Sequence, residues 1–498
     1  MKTDTKMRQF RLFINGKNRP SKSQNFFDSI NPSNEEVLAK LADGTLDDMR
    51  SAINAARTAF DSGSWSGLSV SERGKYLVKI ADLIRKNAKE LAELECKDAG
   101  KTIKHTTFID VPTCSETFEY FGRITKQLEG KDNAVAAPVK SITEREPVGV
   151  VGAIIPWNYP LIMFGWKVAP ALVAGNTVVF RPSSQASVSI SRLAEIICEE
   201  IDLPKGVLNV VTSTDHDVSS ELVKSPLVDK ISFTGGTGTG RQIMEMAAAN
   251  IKKLTLELGG KSPNIVFADC DFEAALGGTL SAIFLNQGQM CTAGSRLILE
   301  EKIYDKFLNA LVEKTKTLRI GEAQDYQSEF GPLANKKQLE NVLRFIDKGK
   351  AEGATLLCGG KVPDNFKKGF YFEPAIFADV NNQMTIAQEE IFGPVLSVIK
   401  FKEQQQAVNI ANDSKFGLAA CIWSKDLDRA QKVAQQLCCG TVWINTYGGF
   451  YNEAPYGGYK QSGFGRELGL EGLFEYTQVK HICIDKTPGG KPLAAAWF

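Results

Sequence analysis

The feature that most constrains the fold of this chain is an alternation of short apolar strands and amphipathic helices between residues 147 and 258. Helical periodicity fills the gaps between the strands, as in "SVSISRLAEIICEEI" at 187–201. Strands of this kind, separated by helices, are typical of parallel βαβ units with both sheet faces covered. The pattern predicts a doubly wound, Rossmann-type sheet that binds a dinucleotide. The predicted strands are 148–155, 176–180, 207–211, 229–234 and 253–258.

A second alternation follows the first and predicts a second α/β unit. Its helices include 301–318 and 426–438. Its predicted strands are 263–267, 296–300, 395–401, 418–423 and 441–446. Two segments stay outside both units: 127–146 is polar and extended, and 477–485 alternates like a strand. We expect these two to pair as an arm, because exposed strands often join subunits.

Length and charge narrow the classes of function. A chain of 498 residues is too long for one core. The net charge of +1 gives no electrostatic footprint for nucleic acid or for an anionic membrane surface as a partner. The longest apolar run, at 148–155, ends at Pro156 and is too short to cross a membrane.

The cysteines and histidines bear on compartment and metal binding. There are ten cysteines with no C-x-x-C pair, which predicts reduced thiols and a cytoplasmic protein. Only three histidines are present, and they are scattered along the chain. No cysteine pair has zinc spacing, so we expect no metal site.

A glycine-rich turn, "FTGGTGTGR" at 233–241, is the candidate phosphate-binding motif. It follows a predicted strand and opens a helix, where helix N-termini bind phosphates. Its spacing, Gly235, Thr237 and Gly240, is G-x-T-x-x-G, so taken alone the signal is weak. A nearby "GGKS" at 259–262 suggests a P-loop, but Thr255 stands where that motif needs glycine. We therefore exclude a nucleoside triphosphatase.

The stretch "NQGQMCTAGSR" at 286–296 places Cys291 among small polar residues and glycines, which suggests a nucleophilic thiol. None of His105, His216 and His481 lies within 50 residues of it along the chain. Gly288 and Gly294 suggest clearance around the sulfur.

Carboxylate and amide side chains offer alternatives to a paired histidine. Glu257 ends a predicted strand at the carboxyl edge of the sheet, where active sites gather, and two glycines after it leave its side chain uncovered. It is either a general base or a solvated strand end. Asn158, between two prolines, is either a turn former or an oxyanion donor.

Taken together, these residues make the chain resemble the NAD(P)-dependent aldehyde dehydrogenase family. The match covers nearly the whole chain and is best for the hydrolytic branch, which includes betaine-aldehyde and trimethylaminobutyraldehyde dehydrogenases. Seven motifs stand in the family's order and spacing: "PWNYP" at 156–160, "GWKVAPAL" at 165–172, "FTGGTGTGR" at 233–241, "LELGGKSPNIV" at 256–266, "NQGQMC" at 286–291, "EEIFGPV" at 389–395 and "PYGGYKQSGFGRE" at 455–467.

The resemblance implies a reaction. Cys291 would attack the aldehyde, and the thiohemiacetal oxyanion would be held by the Asn158 amide and the Cys291 backbone N–H. Loss of hydride would leave a thioester, which water activated by Glu257 would hydrolyse to a free acid. Lys167 matches the family lysine near the thiol, and its charge would favour a thiolate.

The resemblance also implies a cofactor site for NAD. Ser184 stands where the family commonly has a glutamate that grips the adenosine ribose, and Arg181 replaces a lysine. A neutral serine beside an arginine suggests that NADP is accepted as well. The expected cofactor residues are Ile154, Pro156, Trp157, Arg181, Ser183, Ser184, Gly235, Gly236, Thr237, Gly240, Leu258, Glu390 and Phe392.

The substrate is a small-molecule aldehyde of open identity. The aromatic side chains at 159, 166 and 456 could hold a quaternary ammonium by cation–π attraction, as in betaine aldehyde or trimethylaminobutyraldehyde. They could equally line an apolar tunnel for many aliphatic or aromatic aldehydes, and Leu285 stands where some betaine-aldehyde enzymes have tryptophan. The expected substrate residues are Tyr159, Met163, Trp166, Met290, Thr292, Phe450 and Tyr456.

Domain limits and assembly follow from the same resemblance. It implies a dinucleotide-binding domain at 1–126 and 147–259, a catalytic domain at 260–465, and a small β oligomerisation arm with a C-terminal tail at 127–146 and 475–498. It also implies a homo-oligomer, a dimer or a tetramer. Two alternatives stay open: a cofactor-free thiol esterase using Cys291 and Glu257, and a structural relative without activity.

Overall fold

The computed structural model describes residues 7–487 and 489, and the predicted tail beyond them lies outside the described residues. The strands are β1 Gln9–Phe10, β2 Leu12–Ile14, β3 Lys17–Arg19, β4 Phe26–Ile30, β5 Val37–Ala42, β6 Lys131–Asn133, β7 Val139–Pro147, β8 Val150–Ile154, β9 Thr177–Arg181, β10 Leu208–Val210, β11 Lys230–Thr234, β12 Lys253–Glu257, β13 Pro263–Val266, β14 Arg296–Glu300, β15 Thr355–Cys358, β16 Ala375–Ala378, β17 Val395–Phe401, β18 Phe416–Gly417, β19 Ala419–Trp423, β20 Thr441–Ile444, β21 Tyr459–Lys460, β22 Gly463–Phe464 and β23 Thr477–Asp485.

The α-helices are α1 Leu46–Asp61, α2 Val70–Lys86, α3 Ala88–Ala99, α4 Ile103–His105, α5 Val111–Arg123, α6 Pro160–Val173, α7 Val188–Glu200, α8 His216–Lys224, α9 Thr237–Ala248, α10 Phe272–Phe284, α11 Tyr304–Lys316, α12 Lys336–Ala351, α13 Thr385–Gln388, α14 Gln404–Asn412, α15 Leu427–Gln436 and α16 Gly469–Phe474. A π-helical turn spans Thr106–Asp110, and 3₁₀ turns span Thr125–Leu128, Leu285–Gly288 and Glu301–Ile303.

The first sheet has eight strands in the order β22-β12-β11-β8-β9-β10-β2-β3. Its five central strands run parallel. Counted in chain order they give the arrangement 3-2-1-4-5 that doubly wound dinucleotide-binding sheets share. The strand order reverses between β8 and β11, so the loops after these two strands leave from the same edge. Ligands bind at this kind of switch point.

The central strands are buried on both faces, which is why their sequences read as continuous apolar runs rather than alternating ones. All five residues of β8, and all five of β11, are buried. The helix α6 covers one face and starts with Pro160 at its first turn, where a missing N–H costs no hydrogen bond. Thirteen of its fourteen residues are buried, so it carries Trp166 and Lys167 into the interior.

The second sheet has seven strands in the order β15-β16-β17-β14-β13-β19-β20. All pairs are parallel except the edge pair β15–β16. The fold class is therefore the predicted one, with two α/β units. The predicted strands of both units agree with the observed ones to within two residues at each end.

A third sheet, in the order β23-β7-β6, forms the predicted arm. The strands β23 and β7 pair antiparallel over nine residues, from Thr477 opposite Pro147 to Asp485 opposite Val139. Most of β23 is exposed, including Val479 and Ile484. The pairing of the two leftover segments is thus confirmed, while the role of the arm stays a prediction.

Some of the fold lies outside the sequence-based prediction. The strands β1 to β5 were not predicted, and three of them form a small separate sheet. The two-residue strand β22 returns from the second unit and adds to the edge of the first sheet beside β12. Within the described residues, no helix is long and apolar enough to cross a membrane.

Candidate active site

One cavity of about 470 Å³ lies between the two large sheets. All seven residues expected to contact the substrate line it: Tyr159, Met163, Trp166, Met290, Thr292, Phe450 and Tyr456. Cys291 and Glu257 also line it. The fold therefore brings together side chains from strand β12, helix α6, the 289–292 loop and the 447–456 loop.

The backbone that presents Cys291 is held in an unusual conformation. Asn286 and Gln287 both have left-handed φ angles, of 50° and 55°, and Gly288 follows at 69°. Residues other than glycine rarely adopt this region, and such strain is retained where the surroundings over-determine the backbone. The side chain of Gln289 helps to fix this backbone, because it accepts a hydrogen bond from the Ala334 N–H at 2.9 Å.

The glycines near Cys291 serve packing rather than clearance. A Cβ added at Gly288 would overlap the Gly393 backbone, and one at Gly294 would lie 2.9 Å from the Ala282 Cβ. The glycine that borders the nucleophile is Gly260, where an added Cβ would overlap the Cys291 carbonyl oxygen. The expectation that Gly288 and Gly294 open space around the sulfur is therefore wrong.

The surroundings of Cys291 favour its protonated thiol over the thiolate. Burial raises its pKa to about 12; a hydrogen bond with Tyr456 opposes this, and the Glu390 and Glu257 carboxyls add to it. The Sγ lies 3.4 Å from the Tyr456 hydroxyl. Because a thiol is a weak nucleophile, attack by Cys291 requires a base that takes its proton.

Glu257 is the titratable group of the cavity best placed to be that base. It ends β12 and is 3% exposed, so it is covered rather than uncovered as its flanking glycines suggested. Neither carboxylate oxygen has a hydrogen-bond partner within the part of the chain that the structure describes. Burial raises its pKa well above the ordinary value, the Glu467 carboxyl raises it further, and Lys167 and Arg466 lower it.

Lys167 acts on Glu257 rather than on the thiol. Its ammonium is fully buried and pairs with Glu467 at 2.6 Å, and it donates to the Ser232 hydroxyl at 3.0 Å. Its charge is thus largely compensated, and the pKa of Cys291 is raised rather than lowered. The geometry does not support the expectation that Lys167 favours a thiolate. Glu467, which sequence reasoning did not single out, is its partner.

Asn158 lies beside the nucleophile loop. Its Nδ2 donates to the Gln289 carbonyl at 2.9 Å, two residues before Cys291. In turn the Asn286 Nδ2 donates to the Asn158 carbonyl at 3.2 Å. Because a side-chain amide has two N–H groups, this arrangement orients Asn158 with one and leaves the other for an oxyanion.

Part of the expected cofactor set lies at the switch point of the first sheet: Ile154, Pro156 and Trp157 at the end of β8, and Gly235, Gly236, Thr237 and Gly240 after β11. Ile154 ends β8, and Phe233 of the adjacent β11 is its register partner. Trp157, just after β8, meets the Phe392 ring edge-to-face at 5.3 Å. Near Cys291, the half-buried Glu390 accepts a hydrogen bond from the Gly260 N–H at 3.2 Å, and desolvation of its carboxyl raises its pKa to about 7.

The start of α9 fits a phosphate-bearing cofactor. Gly236 caps this helix without a side-chain hydrogen bond, so its first N–H groups are open. An added Cβ at Gly236 would meet no atom within 4 Å. One at Gly240 would lie 2.6 Å from Leu258 Cδ2, so that glycine provides the close packing of helix on strand. The Thr237 hydroxyl donates to the Gln461 carbonyl at 3.5 Å.

The Arg181 guanidinium is less available to a cofactor phosphate than its position in the sequence suggested. Its guanidinium donates to the carbonyls of Pro182 and Ser213, at 2.9 and 3.0 Å, and the side chain is buried. Ser183 accepts a hydrogen bond from the Gln185 N–H, and Ser184 is half-buried. Two of the five N–H donors of Arg181 are therefore used inside the protein, and its Nε has no hydrogen-bond partner among the described residues.

Several cavity residues escaped sequence reasoning. The most telling is Tyr447, whose hydroxyl donates to the Thr292 carbonyl. It follows β20, and the carboxyl end of a parallel strand is a signal that could have found it. The others are His105, Ile109, Thr113, Ile162, Thr234, Ser281 and Gly448. Leu285, which the sequence analysis noted, also lines the cavity.

Comparison with known proteins decides the family. A model of the Aldehyde dehydrogenase family matches residues 19–482. The chain belongs to the aldehyde dehydrogenase family. The predicted resemblance is thereby confirmed, and the protein is an oxidoreductase of this family.

Relatives of this aldehyde dehydrogenase include proteins with different named substrates. It is 44% identical over 492 residues to the betaine aldehyde dehydrogenase of Bacillus subtilis, covering 98% of this chain and 99% of that one. It is 42% identical to human retinaldehyde dehydrogenase 3, covering 96% and 94%. The crystal structure of Staphylococcus aureus betaine aldehyde dehydrogenase in complex with NAD⁺ matches with a TM-score of 0.94, at 42% identity, covering 96% and 95%.

Proposed function

We propose that this aldehyde dehydrogenase oxidises an aldehyde to the carboxylic acid, with NAD as hydride acceptor and Cys291 as nucleophile. The observation that carries the proposal is that Cys291, Glu257 and all seven expected substrate residues line a single cavity. Relatives of similar sequence are named as aldehyde dehydrogenases, and one is described in complex with NAD⁺.

In the first step the Cys291 Sγ bonds to the aldehyde carbon while its proton passes to Glu257, directly or through a water. The raised pKa of Glu257 suits this transfer, because a stronger base accepts a thiol proton more readily. The carbonyl oxygen becomes an oxyanion, which the free N–H of Asn158 and the Cys291 N–H would hold. Lys167 would act as a positioning residue through its effect on Glu257.

Bound NAD would supply the hydride acceptor for the thiohemiacetal carbon. The groups that would hold it are the open N–H groups at the start of α9 and the residues Ile154, Pro156, Trp157 and Leu258. Glu390 and Phe392 lie on the Cys291 side of these residues. After Glu257 has released the thiol proton to solvent, it takes a proton from water and the hydroxide attacks the acyl carbon of the thioester. The C–S bond then breaks, the carboxylic acid leaves, and the Cys291 thiolate takes up a proton.

A quaternary ammonium aldehyde is a second, narrower candidate for the substrate. Three aromatic rings contact one another in the cavity: Trp166 and Tyr456 at 5.3 Å, Phe450 and Tyr456 at 5.3 Å, and Trp166 and Phe450 at 5.8 Å. Each ring face attracts a cation by about 0.5–2 kcal/mol. The Bacillus subtilis relative is named for betaine aldehyde.

An aldehyde panel with NAD, followed by absorbance of the reduced nicotinamide, tests the proposal. We expect turnover that Cys291→Ala abolishes while NAD still binds. Absence of signal with every aldehyde would favour the inactive structural relative. Ester hydrolysis that continues in protein freed of cofactor, without aldehyde oxidation, would favour the thiol esterase. Equal kcat/KM for betaine aldehyde and its neutral isostere would remove the ammonium candidate.

We also propose that NADP is accepted beside NAD, because Ser184 offers no carboxylate to repel a 2′-phosphate. The buried hydrogen bonds of Arg181 leave the serine as the main support for this idea. Comparison of kcat/KM for the two cofactors tests it. A preference for NAD above about a hundredfold, about 2.7 kcal/mol, would contradict it.

We infer that the protein is a cytoplasmic homo-oligomer, a dimer or a tetramer, joined through the arm. The exposed strand β23 and the free thiols among the described residues support this reading. The two large sheets support domain limits at 1–126 with 147–259 and at 260–465, although β22, which lies in the second range, joins the first sheet. Light scattering on the purified protein measures the assembly.

A further inference from the structure

His105 belongs to the cavity wall but has no part in the chemistry proposed above. It ends the short helix α4, just before the π-helical turn Thr106–Asp110, and is 5% exposed. Its ring lies 5.6 Å from the Tyr159 ring, centroid to centroid. Single π-helical turns occur frequently at functional sites, because they re-aim the side chains that follow.

A buried cluster of charged groups stands behind His105. Its Nε2 lies 3.5 Å from Asp110 Oδ1. Lys101 Nζ lies 2.5 Å from Asp110 Oδ2 and 3.5 Å from Glu95 Oε1, and none of these three side chains is exposed. The same ammonium lies 3.8 Å from the centre of the Tyr159 ring.

Lys101 offsets the acidic groups of this cluster. Although burial acts to raise the pKa of Asp110, Lys101 and His105 outweigh it and hold that pKa below the ordinary value. Burial raises the pKa of Glu95 to about 8, although Lys101 lowers it. The Lys101 ammonium lies within 3.5 Å of both carboxyls, so it reduces the negative charge that the cluster presents to the cavity.

The cavity offers a cation no carboxylate at the His105 side. Among the described lining residues the only carboxylate is Glu257, which faces Cys291. Imidazole is either neutral or positively charged, never negative. Lys101 does not line the cavity, yet it lies over the Tyr159 ring, so its charge opposes a second cation on the cavity side of that ring.

We propose that His105 is a specificity-determining residue, which makes the cavity disfavour aldehydes with a cationic tail and favour those whose tail is a carboxylate. The inference rests on the proposed aldehyde oxidation at Cys291 and names the charge class of its substrate, and it argues against the quaternary ammonium candidate named above. A ring N–H of His105 would donate to the carboxylate, and the Asp110 carboxylate behind Nε2 would hold the imidazole in place.

Two pairs of aldehydes isolate the effect of charge. Betaine aldehyde is compared with its neutral isostere 3,3-dimethylbutanal, and 4-oxobutanoate with its neutral methyl ester. The ratio of kcat/KM within each pair cancels changes in Cys291 chemistry that affect both members. Dissociation constants for choline and for 3,3-dimethylbutan-1-ol, measured by calorimetry, give the same comparison without turnover.

The variants are His105→Glu, which places a carboxylate at the same point, and His105→Gln, which keeps a neutral hydrogen-bonding side chain. We expect His105→Glu to raise the cationic-to-neutral ratio about tenfold or more, since close charge pairs in partly buried sites have effects of this size. We expect His105→Gln to lower the carboxylate-to-ester ratio at least about threefold. His216→Gln changes an exposed histidine on α8 and should leave both ratios unchanged.

The outcomes separate the two proposals. Ratios within twofold of wild type in both His105 variants, with oxidation of the neutral aldehydes retained, would overturn the role of His105 alone. If no aldehyde reduces NAD, aldehyde oxidation itself fails, and the affinities for choline and its neutral isostere still decide the role of His105. If His105→Glu does not fold beside Asp110, His105→Gln decides.

Discussion

At the scale of single residues, the reactivity of Cys291 depends on the groups around it, because burial raises the pKa of its thiol to about 12. Sequence identified Cys291, Glu257 and Asn158 from their motifs, and the structure places the first two in one cavity and the third against the Gln289 carbonyl. Sequence reasoning could not predict the ion pair between Lys167 and Glu467, because the two residues lie 300 positions apart in the chain. Contacts at that separation leave no pattern in a single sequence.

Replacing Glu257 by Gln should separate the two halves of the reaction. Without the carboxylate the thiol proton must leave through water, so reduced cofactor should form in a slower burst equal to the enzyme concentration. The reaction should then stall at the thioester, because no base activates the hydrolytic water. Steady-state turnover should fall by about 10²–10⁴-fold, the usual contribution of a general base. Stopped-flow absorbance measures both phases. Glu475→Gln is a matched control, since this carboxylate reaches Thr255 on the same strand but not the cavity; a stall there too would contradict the assignment.

The raised pKa of Glu257 predicts the direction of the pH dependence. Burial and Glu467 raise it, so the carboxyl is protonated, and inactive as a base, up to a higher pH than an ordinary glutamate with a pKa of 4.5. Turnover should therefore fall as pH is lowered through a midpoint above 4.5. Glu467→Gln removes one raising charge and should move that midpoint to lower pH. A pH–kcat profile that moves the opposite way would show that Glu257 does not limit the reaction.

At the scale of elements, the strands and helices around the site were predictable because apolar periodicity is local. The parallel strands agree with the predicted ones closely, for example β17 at Val395–Phe401. The two-residue strand β22 was not predictable. Its place beside β12 depends on the chain returning from the second unit to the first sheet, which no local sequence pattern encodes. The left-handed turn at Asn286–Gly288 was missed for a different reason. Neither asparagine nor glutamine at these positions indicates by itself that the backbone is left-handed.

Gly260 lies so close to the Cys291 carbonyl that adding a methyl group at Gly260 should disturb the nucleophile. Gly260→Ala would push the 259–262 loop against the Cys291 carbonyl and displace the nucleophile. We expect kcat to fall at least about tenfold, with a loss of about 1–3 kcal/mol in unfolding free energy from overpacking. Urea denaturation and steady-state kinetics measure the two effects.

Gly277→Ala, in helix α10, is the control for that variant. An added Cβ there meets no atom within 4 Å, so alanine should raise stability by about 0.5–1 kcal/mol and leave kcat unchanged. Wild-type kinetics in Gly260→Ala would show that the loop can move away at no cost to Cys291.

At the scale of the whole molecule, the sequence predicts two α/β units because each alternation of strand and helix can bury its sheet in only one way. The switch point follows from the order of the parallel strands, and it explains why the loops after β8 and β11 hold the expected cofactor residues. The small sheet of β1, β4 and β5 was not predicted, because its strands are short and only partly buried.

The exposed arm predicts how the molecule assembles. A three-stranded sheet that leaves Val479 60% and Ile484 41% exposed buries too little apolar surface to be stable alone, so a second copy should cover it. Val479→Glu should weaken that contact and lower the mass measured by light scattering at micromolar protein. Leu427→Glu changes an equally exposed leucine, at 57%, on helix α15 outside the arm, and should leave the mass unchanged. An unchanged mass in Val479→Glu together with Ile484→Glu would place the subunit contact elsewhere, since two buried like charges facing their symmetry copies cost several kcal/mol.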